Sequence, residues 1–183
     1  WGEIVSVLVE ALDLAQFDVL GISSGAPYSY AVGFHCPSQT RNLFILSGTP
    51  ALFDANVQAY WPYPINKNAS IVEMQKVAHQ LFFSQVTEED LKNDNMRDSM
   101  AHDCYGIAQD LAIRCRDWGF PLSGIQAKVT MQHSRSDESV PFKTAEITAG
   151  YLPNCRFEIR EQDPHFSQEV LDSFIREMMT KTF

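Results

Sequence analysis

Apolar positions change their period repeatedly along the first 50 residues. Over residues 3–14, EIVSVLVEALDL, the residues Val5, Leu8, Val9 and Leu12 recur at three- and four-residue spacing and predict a helix, while FDVLG after it has the length and composition of a buried strand. GAPYSYAVGFHC has no breaker except Pro27, which a first helical turn tolerates, and PSQTR then leads to a second apolar strand, NLFILSG. The same alternation returns late in the chain. There the pattern predicts a strand over AKVTMQH (127–133), a helix over FKTAEITAGYL, a strand over CRFEIR and a closing helix over SQEVLDSFIREMM. Strands alternating with helices of this length predict an α/β fold: a mostly parallel sheet, right-handed crossovers and helices on both faces.

Residues 49–124 break the rhythm. Aromatic-rich chain, ALFDANVQAYWPYPI, precedes the helical pattern SIVEMQKVAHQLFF; a capping box at Thr87 and Asp90 predicts a polar helix, and YGIAQDLAIRCRDW predicts another, ended by Gly119 and Pro121. The organisation expected is therefore two core parts, 1–48 and 125–183, with a helical cap or lid inserted at 49–124. Such an insertion is either packing bulk or a cover for a ligand, since parallel sheets bind ligands at one end.

Composition narrows the function. The 183 residues are 45% hydrophobic with 9 Gly and 9 Pro, as in one globular domain, and the formal net charge of −9 disfavours nucleic acid and anionic lipid as partners. No apolar run approaches the roughly 20 residues of a membrane-spanning helix. Cys36, Cys104, Cys115 and Cys155 are scattered without a CxxC pair, which predicts neither a metal site nor a disulfide framework and fits a cytoplasmic protein with reduced thiols. The sequon at Asn68–Ser70 bears only on a secreted chain.

The chemistry begins at Gly21-Ile22-Ser23-Ser24-Gly25. This G-x-S-x-G lies between a predicted strand and a predicted helix, the context of a nucleophile elbow, where glycines permit a cramped turn that raises the Ser23 hydroxyl above the sheet. The amide of Ser24 would then face a developing oxyanion at the helix amino end. After AKVTMQH comes SRSDESVPF, and after CRFEIR comes EQDPHFSQE, so a serine, an acid and a histidine each follow a strand. A serine hydroxyl needs an imidazole to take its proton, and the imidazole needs a carboxylate to fix its tautomer. Glu161 and Asp163 sit in the same loop as His165 and are its neighbours or substitute acids. His35, His79, His102 and His133 fall within helices or at a strand end, where packing or surface roles are expected.

In these stretches the sequence resembles the α/β-hydrolase family. FDVLGISSG looks like its nucleophile elbow, HSRSDESVPF like its acid turn, DPHFSQE like its histidine loop, and YGIAQDLAIRCRDWGFPL is similar to the end of the cap in small esterase-like members. The resemblance implies Ser23 as nucleophile, His165 as general base, Asp137 as the residue orienting it, Ser24 N–H in the oxyanion hole, and no cofactor. The substrate expected is a small, largely apolar ester or amide, with Phe53, Tyr60, Trp61, Tyr63, Phe82 and Phe83 as candidates for pocket lining or ordinary lid packing. C–C hydrolases, peptidases, thioesterases and perhydrolases use the same constellation, and a non-catalytic ligand-binding member is a further alternative. Ala26, Ser134 and Pro164 stand where relatives commonly carry glycine. The resemblance covers the last two thirds of such a domain. It leaves FDVLG at an open sheet edge and lacks the loop that supplies a second oxyanion donor, so the expectation is an upstream segment or, failing that, a homo-oligomer at the edge.

Overall fold

The computed structural model describes residues 1–62 and 66–182. Its four strands, β1 (Phe17–Ile22), β2 (Thr40–Leu46), β3 (Lys128–Ser134) and β4 (Cys155–Arg160), pair in the order β1-β2-β3-β4, all parallel. The register aligns Ile22 with Leu46, Leu46 with Gln132, and Ser134 with Arg160, which brings the carboxyl ends of all four strands to one end of the sheet. The loops that follow β1, β3 and β4 therefore start side by side.

The central strand shows why the sheet needs cover on both faces. Leu43, Phe44, Ile45 and Leu46 of β2 are all buried, so neither set of alternating side chains meets water. Phe44 and Leu46 pack with Val170 and Phe174 of α7 (Gln168–Thr182). On the other face α2 (Ala26–His35) approaches closely enough that a Cβ at Gly33 would lie 2.6 Å from Leu43 Cδ1, and α6 (Phe142–Tyr151) sets the Phe142 ring edge-on to His133 of β3.

α1 (Gly2–Ala11) and β1 behave differently. Ile4 and Val7 are each 66% exposed, Leu8 and Leu12 are exposed as well, and β1 pairs with β2 alone among the described strands. The apolar stripe read from the sequence is thus only partly used: Val9 is buried, Val5 is half-buried, and Leu8 and Leu12 are open.

The chain folds as two compact units, Trp1–Tyr63 with Gly119–Phe183, and Pro64–Trp118. The separately packed helical part is narrower than the 49–124 insertion because both flanks join the sheet unit. Ala51, Leu52 and Val57 are buried around α3 (Ala55–Gln58), whose Asn56 amide donates to the Tyr151 hydroxyl of α6. At the other flank Phe120 stacks on Phe34 of α2 with centroids 5.0 Å apart.

In the second unit Ser70 and Glu73 form a capping box on α4 (Ile71–Ala78), which runs on as a π-helical turn through Phe83. The box at Thr87 and Asp90 forms as expected, yet it opens only one 3₁₀ turn, Asp90–Lys92. The long helix α5 (Asp94–Arg114) starts instead at Asn93, whose side chain accepts from the amides of Asn95 and Met96, and it is broken at Ala101–Cys104. The helix expected from Tyr105 to Trp118 is the second half of α5 and stops at Arg114. No helix among the described residues is long and apolar enough to cross a membrane.

Candidate active site

The turn after β1 is held in a conformation that side chains avoid. Ser23 has φ +48°, the left-handed region, where a non-glycine residue costs on the order of 1–3 kcal/mol unless its surroundings fix it. The fixing is visible: the Ser23 carbonyl accepts from the amides of Ala26 and Thr49, tying the elbow to α2 and to the segment after β2. Ser24 is exposed at the start of the 3₁₀ turn Ser23–Gly25 that runs into α2, so its amide lies at the positive end of a helix.

The two glycines of the motif do not share one role. A Cβ at Gly21 would lie 2.4 Å from Ser29 Oγ, whereas at Gly25, in ordinary right-handed conformation, it would meet nothing within 4 Å. Of the two glycines expected to permit a cramped turn, Gly21 is the one that a side chain would crowd. Gly21→Ala should therefore lower stability by about 1–3 kcal/mol through overpacking, and Gly25→Ala by less than about 0.5 kcal/mol. Thermal or denaturant unfolding of the two variants measures the difference, and equal losses would contradict it.

Ser23, His165 and Asp137, 142 and 28 residues apart in sequence, form one hydrogen-bonded chain. His165 Nε2 lies 2.9 Å from Ser23 Oγ, and His165 Nδ1 lies 2.8 Å from Asp137 Oδ2. The carboxylate must hold the Nδ1 hydrogen, which leaves Nε2 as the acceptor facing the serine hydroxyl.

Asp137 is enclosed and saturated. Its side chain is 0% exposed; Oδ1 accepts from the amides of Ser139 and Val140, at 2.9 and 2.8 Å, while Oδ2 faces both His165 and His133 Nε2, the latter at 3.2 Å. Burial alone would push this carboxyl up, but the hydrogen bonds from His133, His165 and Val140 outweigh it and hold the group well below the usual carboxylate range. A depressed acid stabilises the fold above its unfolded-state pKa, near 3.9, and that contribution drains away as pH falls below it. Acid unfolding of wild type should therefore be steeper below about pH 4 than that of Asp137→Asn, as circular dichroism melts across pH 2–6 would record.

The other loop acids are engaged elsewhere. Glu161 accepts from Arg135 Nε at 3.1 Å, and Asp163 Oδ2 lies 3.8 Å from Arg160 Nε. The Asp163 carbonyl also accepts from Ser136 Oγ, linking the acid turn to the histidine loop. His133, read from sequence as packing or surface, is the packed case: it is fully buried, with Nε2 3.2 Å from Asp137 Oδ2. Of the aromatic candidates, Phe53, Tyr60 and Trp61 belong to the sheet unit and Phe82 and Phe83 to the helical one. Tyr60 lines a surface groove between α3 and α6, Phe82 is exposed and Phe83 buried, and Tyr63 lies outside the described residues. Among the described residues no group of three or more His, Cys, Asp or Glu could hold a metal ion.

Neither a protein-family model nor a curated protein sequence matches the chain. Solved structures do. An esterase from Exiguobacterium antarcticum is 21% identical with a TM-score of 0.64, over 99% of this chain and 70% of that one. An alpha/beta hydrolase from a Medee basin deep-sea metagenome library is 15% identical with a TM-score of 0.65, over 98% of this chain and 69% of that one. A meta-cleavage product hydrolase from Pseudomonas fluorescens is 15% identical with a TM-score of 0.62, over 100% and 71%. With this sheet order and these neighbours, the chain has the α/β-hydrolase fold.

Proposed function

We propose that the chain is a serine hydrolase that cleaves a small, largely apolar ester or amide through an acyl-enzyme. The observation that carries this reading is the continuous hydrogen-bond chain from Ser23 Oγ through His165 to Asp137. In the first half-reaction Ser23 Oγ attacks the acyl carbon as His165 Nε2 takes its proton, and the carbonyl oxygen becomes an oxyanion facing Ser24 N–H at the amino end of α2. Collapse of this intermediate breaks the bond to the leaving group, which departs with the proton from His165. Water, deprotonated by the same nitrogen, then releases the acid and restores Ser23. Asp137 fixes the His165 tautomer and steadies the imidazolium in both halves. None of these steps needs a cofactor.

The ester reading is supported by the esterase among the structural neighbours. The meta-cleavage product hydrolase supports a second reading, C–C bond hydrolysis by the same three residues. Stopped-flow release of a chromogenic alcohol tests the first: the expected result is a burst of about one equivalent per chain before steady turnover. Turnover with no burst at any pH and no trapped acyl-enzyme would contradict it.

We also propose that the β1 edge and the exposed face of α1 are contact surfaces. An open parallel edge beside exposed Ile4, Val7 and Leu8 is a template for pairing. A preparation of these 183 residues alone should self-associate through a second copy, and Val7→Lys should weaken that association. Sedimentation showing a monomer at tens of micromolar would contradict it.

A further inference from the structure

The histidine on the far side of Asp137 has no place in the reaction above, yet it is buried more deeply than His165. His133 is 0% exposed, whereas the His165 side chain is 20% exposed. Its Nε2 lies 2.9 Å from the Val140 carbonyl and 3.2 Å from Asp137 Oδ2. Both of those partners are acceptors, so Nε2 carries a hydrogen whatever the state of the ring. Nδ1 is buried with no described hydrogen-bond partner, and the ring stands edge-on to Phe142. A polar ring placed this deeply costs stability unless hydrogen bonds offset the loss of water, and here the described ones are all at Nε2.

We infer that His133 is a positioning residue of the proposed triad: its shared Nε2–H holds the Asp137 carboxylate in the orientation His165 needs and withdraws part of that carboxylate's charge. The inference rests on the serine hydrolase reading for its bearing on catalysis, and on geometry alone for its bearing on Asp137. Asp137 Oδ2 has two nitrogen neighbours. Whatever negative charge His133 takes up is charge that His165 does not see, so removing the His133 N–H leaves more of it facing His165.

The other charged groups around this cluster are few. Arg160 acts electrostatically on Asp137; its own guanidinium is pulled down by burial, against Asp163 and Asp137. Asp163 pairs with Arg160, and Arg135 lies over the Phe142 ring with Cζ 4.8 Å from its centroid while donating to Glu161. None of these replaces a hydrogen bond to Oδ2.

Two substitutions separate positioning from packing. His133→Phe keeps a ring beside Phe142 and removes the N–H; His133→Gln places an amide N–H where Nε2 now stands. Histidine-selective NMR titration of the whole chain reads His165 directly and needs no turnover. In His133→Phe the His165 midpoint should rise by about half a pH unit or more, and the acid limb of fluorophosphonate labelling should move up with it, with the plateau rate falling about tenfold. His133→Gln should return the midpoint most of the way to wild type. A His165 midpoint unchanged in His133→Phe, with only the melting temperature lowered, would overturn the inference and leave His133 structural. Should His133→Phe fail to fold, the wild-type ring decides: ¹⁵N shifts showing hydrogen on Nε2 and a His165 midpoint lowered relative to His133→Gln's opposite control, His133→Leu, support it, and hydrogen on Nδ1 alone overturns it. A wild-type chain that shows the NMR behaviour but does not label at Ser23 contradicts the hydrolase reading without touching the link from His133 to Asp137.

Discussion

Replacing Ser23 by alanine is expected to lower kcat/KM for a chromogenic ester by at least roughly a thousandfold, with the fold retained. The hydroxyl lies 2.9 Å from His165 Nε2, so without it no acyl-enzyme forms there, and His165 with Ser24 N–H can at best assist direct attack by water. The turn itself should survive the change, because the elbow is tied through the Ser23 carbonyl, which the amides of Ala26 and Thr49 hold in either residue. A Ser23→Ala protein with the wild-type melting temperature and wild-type turnover would place the nucleophile elsewhere.

Asp137→Asn should cost about 10⁴ in kcat, and Asp163→Asn much less. An amide at position 137 can turn its NH₂ toward His165 Nδ1, which then becomes an acceptor; Nε2 acquires the hydrogen and points it at Ser23 Oγ. The base is lost while the shape is kept. Among the described residues Asp163 makes a long ion pair with Arg160 and a backbone contact from Ser136, neither of which passes through His165. Activity of the wild type should rise with pH as the His165 imidazole loses its proton, and Asp137→Asn should lose the plateau rather than shift it. Steady-state rates across pH 5–9 for the three proteins measure this. The reverse ranking of Asp137 and Asp163 would mean that the histidine loop carries its own acid.

The strand pattern was legible because each strand is short, apolar and bounded by breakers. CRFEIR is β4 residue for residue, and the elbow was legible because Gly21, Ser23 and Gly25 fall where a strand hands over to a helix. What sequence could not supply is direction and depth. Thr87 and Asp90 carry the full signature of a helix start, and their box forms, but Asn93 three residues on offers a second cap, and the chain uses that one for the long helix. Gly25 has the same place in the motif as Gly21, and only the position of Ser29 tells them apart. His133 was set aside because a histidine at a strand end usually packs or faces water. Its signal was there in outline: alternation along β3 puts residue 133 on the same face as Val129 and Met131, both buried, and the turn then brings Asp137 back within four residues. Alternation says that such a histidine is buried; it does not say that a carboxylate is waiting for it.

The claim that Ser23 is activated by His165 and Asp137 is tested most directly by mass spectrometric mapping of the chain after reaction with a fluorophosphonate. The account predicts one adduct per chain, on Ser23, formed faster as pH rises and absent from both Ser23→Ala and His165→Ala. An adduct on any other serine, or a Ser23 adduct that forms equally fast in His165→Ala, would contradict it.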